Sequence, residues 1–261
     1  MATPDNAPRS IERMFRMFET LRSTPDGMTL AEVSAELGTP KSSTLRLLRV
    51  LTQAEYLIHA PPRYTLGPAI FRFAAGLMAV REFPTLIRPC MQRLQEMTQE
   101  TIYVAVLDTD EKAAKYLDVL ESPQPIRYSV QAGTSRPLYC SSAGRLLLAY
   151  QSKAWIDGYL ETTKLRPITA KTLVSVRELR QELKRIRYEG LATSFGEAVP
   201  GAAGIAAPIF DRDGTLKAAL MVGGPEDRMT LRMKDYVPAL VAAADDASSL
   251  LGHKPTVRRK A

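Results

Sequence analysis

The residues best equipped for chemistry stand close together in the first quarter of the chain. Ser42, Arg46, Arg49 and Gln53 recur at i, i+4, i+7 and i+11, which puts all four on one face of a helix. Lys41 and Ser43 stand at the N-terminal turn of that helix, and the face holds no acidic residue. A surface so rich in donors suits a DNA major groove: arginine forks onto guanine, glutamine onto adenine, and serine and lysine reach phosphates. A merely solvated helix face would look the same in isolation. The elements around it decide between the two.

Those elements describe a winged helix-turn-helix over residues 9–66, after a disordered tail at 1–8. Ser10 can cap a first helix with an apolar stripe of Ile11, Met14, Phe15 and Phe18, ended by Pro25-Asp26-Gly27. Thr29-Leu30-Ala31-Glu32 is a capping box for a short second helix, whose buried face is Leu30, Val33 and Leu37 and whose stop is Gly38. Thr39 or the turn before it caps the third helix, with Pro40 in its first turn and Thr44, Leu47, Leu48 and Leu51 as its core stripe. Tyr56-Leu57-Ile58, a turn through Pro61-Pro62, and Tyr64-Thr65-Leu66 then read as a hairpin wing, with Arg63 at its tip as a contact to phosphate or minor groove. Residues 67–83 form a linker helix that is apolar on several sides (Ile70, Phe71, Phe73, Leu77, Met78), so a second chain is expected to cover it. A two-fold dimer would read a pseudo-palindromic stretch of double-stranded DNA.

Residues 84–252 mix the two element types. Helical pattern covers 85–99, a segment starting near Ser141-Ser142, 152–160, 175–188 and 230–251. Strand pattern covers 102–107, 113–120, 126–131, 191–195, 203–210 and 215–222, with Asp211-Arg212-Asp213-Gly214 as the last hairpin turn. The class is α+β with an antiparallel sheet, followed by a basic disordered tail at 253–261. The net charge of +7 favours a polyanion only weakly, because Lys254, Arg258, Arg259 and Lys260 supply four of those charges at the C-terminal end.

Other chemistries are poorly provided for. Cys90 and Cys140 lie too far apart for a CxxC pair, and His59 and His253 sit near opposite ends, so no metal site and no local Cys–His pair is expected. Cys140 precedes a helix start but has no histidine in its own region to act as base. Gly196, Gly201 and Gly204 lack the Gly-Lys-Ser/Thr of a phosphate loop. No stretch approaches the ~20 apolar residues of a membrane span, and the N-terminus lacks the blocks of a signal peptide, so a cytoplasmic chain is expected. The competing function is a small-molecule enzyme with a regulatory N-terminal helical module, using a carboxylate such as Glu197.

Taken in order, these blocks resemble the IclR family of bacterial transcriptional regulators. The resemblance runs from Arg9 to about Gly252. It is carried by Met28-Thr29-Leu30-Ala31-Glu32-Val33, Pro40 to Leu48, Tyr64-Thr65-Leu66-Gly67, Gly133-Thr134-Ser135-Arg136-Pro137-Leu138 with Ser142-Ala143-Gly144-Arg145, Gly190 to Glu197, and Gly204-Ile205-Ala206-Ala207-Pro208. It implies a winged-helix domain, a linker helix and a GAF-like effector-binding domain, assembled as a homodimer or a dimer of dimers, with no cofactor. It also implies that the helix start at Ser142-Ala143 receives the carboxylate of a small effector, where free N–H groups and the helix dipole favour an anion. Familiar members carry an acidic residue, a cysteine and a hydroxyl or cysteine where Ser194, Gly204 and Met221 align here. These departures point to a roomier, more apolar pocket, to which Leu120, Tyr128 and Tyr139 contribute, and the resemblance, since some relatives sense such acids, implies a hydroxybenzoate-like aromatic acid rather than glyoxylate or pyruvate.

Overall fold

The computed structural model describes residues 9–80 and 83–254, which fall into two compact units, Met1–Glu82 and Phe83–Ala261. The expected disordered segment 1–8 and residues 255–261 of the basic tail lie outside the described residues.

The first unit holds helices α1 (Arg9–Arg22), α2 (Leu30–Leu37), α3 (Lys41–Gln53) and α4 (Pro68–Val80), with strands β1 (Met28–Thr29), β2 (Leu57–Ala60) and β3 (Arg63–Leu66). The strands form an antiparallel sheet in the order β1-β3-β2, and β2 and β3 make the wing. The capping box forms as the sequence dictates: Thr29 Oγ1 accepts from the Glu32 N–H, and Glu32 accepts from the Thr29 N–H at 2.7 Å. Gly38 ends α2 in the left-handed conformation that an L side chain resists.

Two local expectations change. The N-cap of α3 is Pro40, without a side-chain cap bond; Thr39 stands one position before it, its N–H held by the Ser34 carbonyl and its Oγ1 2.7 Å from Thr44 Oγ1. In α1, which already begins at Arg9, the buried face is Met17 and Leu21, with Met14 and Phe18 beside them. Ile11 and Phe15 stand 50% and 58% exposed instead. Both stripes share Met14 and Phe18, and the apolar surface of α2 and α3 (Val33, Leu37, Leu48, Leu51) selects the second.

The second unit is one six-stranded antiparallel sheet between helical layers. Its strands are β4 (Thr101–Asp108), β5 (Ala113–Leu120), β6 (Ser135–Pro137), β7 (Ala192–Phe195), β8 (Ala202–Phe210) and β9 (Leu216–Pro225), in the order β6-β5-β4-β9-β8-β7. Helices α5 (Phe83–Thr98) and α9 (Glu226–Leu250) cover one face. Helices α6 (Ser142–Ala149), α7 (Lys153–Thr162) and α8 (Val176–Glu189) contribute to the core on the other. Alternation along β4 divides the two cores: Ile102 and Val104 belong to the first, Tyr103 and Ala105 to the second.

The strand expected at 126–131 does not form. Pro123 and Pro125 lack the N–H groups that would lead a strand into the ladder. The segment is held from the side instead, where Thr101 Oγ1 and the Tyr103 hydroxyl each donate to the Tyr128 carbonyl at 2.8 Å. The short edge strand β6, which the sequence did not single out, pairs with β5 in its place.

Candidate nucleic-acid interface and ligand pocket

Helix α3 stands where its sequence pattern requires. Thr44, Leu48 and Leu51 are buried and Leu47 is half-buried, so the opposite face is turned outward. Lys41, Ser42, Ser43, Arg46, Arg49 and Gln53 are all exposed. Among the described residues, none of Lys41, Arg46 and Arg49 takes part in an ion pair. Arg46 also borders an apolar hollow of about 310 Å³ between α1 and α3, with Arg13 on its far side. Sequence spacing could not place Arg13 there, since it depends on how α1 packs. Arg63 has a different setting from the α3 residues. Its Nη1 donates to the Gly27 carbonyl at 2.6 Å and lies 3.6 Å from Glu32, which ties the tip end of the β2–β3 hairpin to the turn before α2 and to α2 itself.

The second unit encloses a small pocket between the start of α6, the inner ends of β7, β8 and β9, and segment 121–134. Tyr116, Tyr128, Arg136, Ser142, Ser194, Gly204 and Met221 line it. Ser141 caps α6, its Oγ accepting from the Gly144 N–H at 3.1 Å. Helix geometry leaves the first N–H groups of α6 without an intrahelical acceptor. Ser142 is fully buried, and its Oγ has no hydrogen-bond partner. Ser194 reaches back to the Cys140 carbonyl at 3.4 Å.

The sequence brings five of its eight expected pocket residues together (Tyr128, Ser142, Ser194, Gly204 and Met221), and three lie elsewhere. Leu120 packs with the core on the α5–α9 side, because its position on β5 turns it to the opposite face. Ala143, in the first turn of α6, turns its side chain into the core, which leaves its backbone N–H as the group expected to meet a ligand. Tyr139 sends its hydroxyl to the Arg166 carbonyl at 3.0 Å and borders a separate outer groove. Arg136 and Tyr116 were missed. A β6 guanidinium in this wall follows from the β5–β6 pairing, which no local pattern announces.

The pocket is narrow rather than roomy. Its volume is about 20 Å³, space for roughly one water molecule. Gly204 leaves room that Met221 fills: a Cβ built there would stand 2.5 Å from Met221 Cε and 2.9 Å from Ser142 Oγ.

The groups suspected of catalysis are otherwise engaged. Burial raises the Cys140 thiol to about 11, despite the pull of Arg136 and Arg145, so it stays protonated at neutral pH. Glu197 is locked in a two-pronged ion pair with Arg145, whose side chain is 3% exposed and which also donates to the Thr193 carbonyl.

Residues 78–249 match the family model described as bacterial transcriptional regulator IclR C-terminal, and residues 10–60 match the IclR helix-turn-helix domain. The chain is 29% identical over 258 residues to the HTH-type transcriptional repressor AllR of Salmonella typhi, covering 98% of this chain and 94% of that one. It is 26% identical over 247 residues to the transcriptional repressor IclR of Escherichia coli, covering 94% and 90%. Among solved structures, the Agrobacterium tumefaciens repressor BlcR shares the fold with a TM-score of 0.83 at 22% identity, over 97% of this chain and 100% of that one.

Proposed function

Because the chain belongs to the IclR family of bacterial transcriptional regulators, we propose that this DNA-binding regulator alters its operator affinity when a small carboxylic acid enters the pocket at the start of α6. The DNA half of the reading assigns Arg46 and Arg49 to base and phosphate contacts, Lys41, Ser42 and Ser43 to the entering end of the helix, and Gln53 to its far end. Arg63 steadies the wing and contributes least. The observation that carries the effector half is Ser142, a fully buried hydroxyl without a partner at the one helix start that opens on the pocket. An unpaired buried polar group costs about 1–3 kcal/mol, and a carboxylate would satisfy it. The engaged states of Cys140 and Glu197 support a sensor over an enzyme.

The rings of Tyr116 and Tyr128 and the thioether of Met221 favour an aromatic acid of hydroxybenzoate size. Such a ligand must open the site: Met221 is flexible enough to swing aside, and Tyr128 stands on a segment without strand pairing. That demand is how binding would be felt elsewhere, since a ligand that fits only the opened state shifts the population toward it. The small volume favours a second reading, a two- or three-carbon oxoacid that needs less opening.

Assembly belongs to the same proposal. Ile11 and Phe15 on α1 and Phe71 and Phe73 on α4 are large, apolar and at least half exposed, so a second copy is the natural cover, and dimers pair again on the same reading. The side chains of Leu77 and Met78 lie outside the described residues. A regulator of this kind works in the bacterial cytoplasm, and among the described residues no helix is long and apolar enough to cross a membrane.

The test uses DNA selected by the wild-type protein from a randomised pool. Fluorescence anisotropy should give tight binding that shifts with 4-hydroxybenzoate or benzoate. A shift with glyoxylate or pyruvate alone favours the second reading, and no shift with any acid removes the effector half. Light scattering should give a dimer or tetramer at micromolar concentration; a stable monomer refutes the assembly.

A further inference from the structure

Among the described residues, Arg136 is the only cation in the wall of the narrow pocket, and it has no acidic partner there. It stands on β6 opposite Ala114 of β5. Its Nη2 donates to the Tyr128 hydroxyl at 2.9 Å, while its Nε is buried with no partner at all. Two other arginines of this unit that reach into the fold are neutralised there: Arg145 by Glu197, and Arg228 by Glu100. Among the described residues Arg136 makes no ion pair, and no Asp or Glu lines the pocket. Glu111 borders the groove on the outer side of Arg136 without pairing with it.

The remaining titratable neighbours cannot supply the missing charge. Burial pushes the Tyr116 hydroxyl to about 12 and the Cys140 thiol to about 11, and it raises Tyr128 as well. All three are protonated at neutral pH. The pocket therefore holds a fixed positive charge, an unpaired guanidinium N–H and, at the start of α6, the unpaired hydroxyl of Ser142. Arg136 as a whole is half-buried and also borders the outer groove, so what the site encloses without a partner is its Nε–H, an unfavourable arrangement that an acceptor in the pocket would relieve.

We propose that Arg136 is the effector's counter-cation, so that the pocket selects a carboxylate at two points, the guanidinium of Arg136 and the α6 start at Ser142. The inference rests on the effector reading above and adds a specificity-determining residue to it. A planar guanidinium matches the fork of a carboxylate, and the Tyr128 hydroxyl holds that fork in place until the ligand takes over one of its donors.

The experiment measures binding of benzoate, 4-hydroxybenzoate and pyruvate by calorimetry, with benzamide as a neutral control, to wild type, Arg136→Met, Arg136→Lys and Ser142→Ala. Arg136→Met should weaken acid binding roughly ten- to hundredfold, and Arg136→Lys should fall between it and wild type. Benzamide should bind wild type and Arg136→Met alike. Without ligand, Arg136→Met should melt close to wild type, because Arg136 is half-exposed, makes no ion pair among the described residues and carries an enclosed Nε–H without a partner. If an acid binds wild type, is weakened by Ser142→Ala and is indifferent to Arg136→Met, the pocket stands and the role of Arg136 is overturned. Equal losses for benzoate and benzamide, or a lowered melting temperature with unchanged affinity, mean that Arg136 only props Tyr128, and these also overturn it. If none of the three acids binds wild type, the effector reading falls and takes this inference with it.

Discussion

The two units present their polar chemistry in opposite ways. On α3, Arg46, Arg49 and Gln53 stand in solvent, where water satisfies their donors. In the second unit, Ser142 Oγ and Arg136 Nε are sealed from solvent with no partner. The first arrangement costs nothing while the protein is free, and its binding strength is set by salt and by phosphate number. The second holds unfavourable free energy in the unliganded state that a matching ligand relieves. On the function proposed above, the two units need these opposite conditions: one would meet a large polyanion from outside, the other would discriminate a small molecule that water would otherwise outcompete.

The sharpest way to break this contrast is the buried ion pair beside the pocket. Glu197→Ala leaves Arg145 enclosed without its counter-charge, and unfolding in urea should show a loss of about 3–5 kcal/mol. A loss below about 1 kcal/mol, as at a surface pair, would mean that the second unit is wetter than described. Next comes the pocket itself. Gly204→Val places a side chain into the space shared by Met221 and Ser142, which should cost about 1–3 kcal/mol of stability and abolish thermal stabilisation by any acid that stabilises wild type. Retained stabilisation would move the ligand elsewhere.

The reader helix is probed by Arg46→Ala and Arg49→Ala. Each should lose about 1–3 kcal/mol of affinity for selected DNA if it reads a base, or weaken binding evenly across sequences if it holds a phosphate. Neither should change the unfolding midpoint, because water already satisfies both side chains. Arg63→Ala should do less to affinity than either, since its guanidinium is directed to Gly27. Wild-type affinity in both α3 variants would remove the recognition-helix assignment.

The smallest effect is local. Thr29→Ala should cost about 1 kcal/mol through loss of the cap. The backbone N–H and hydroxyl of Thr29 hold the Glu32 carboxyl below its ordinary value of 4.5, with Arg63 adding to the pull. A depressed carboxylate stabilises the folded form above the unfolded value, and that contribution is lost as pH falls through the lower folded value. Acid unfolding of wild type should therefore show a contribution at low pH that is missing in Glu32→Gln and only reduced in Thr29→Ala, which keeps the backbone N–H; identical acid limbs for wild type and Glu32→Gln would discount the capping box.

The contrast between the units also explains which parts were legible in the sequence. Capping boxes, left-handed glycine stops and hairpin turns act over a few residues, so Thr29-Leu30-Ala31-Glu32, Gly38 and Asp211–Gly214 declare their structure locally. The reader face of α3 was legible for the same reason, because one helix's periodicity both buries Leu48 and exposes Arg46. Where two faces of one helix are both apolar, as in α1, periodicity cannot choose, and the neighbours' packing decided for Met17 and Leu21.

For the pocket, the sequence by itself determined its floor: a serine-capped helix start at Ser141-Ser142, Gly204 and Met221 on adjacent strands, and Ser194 beside them. The tertiary structure decided the rest. It turned Leu120 to the far face of the sheet, drew the Tyr139 hydroxyl away to Arg166, and brought Arg136 from an edge strand against Tyr128. It also narrowed the site to about 20 Å³ by seating Met221 over Gly204. Local patterns fix which groups a segment offers, because they depend on neighbours a few residues apart. Whether two unpaired polar atoms from distant segments end in one enclosed space depends on strand order and on which face each side chain takes, and only the assembled sheet sets those.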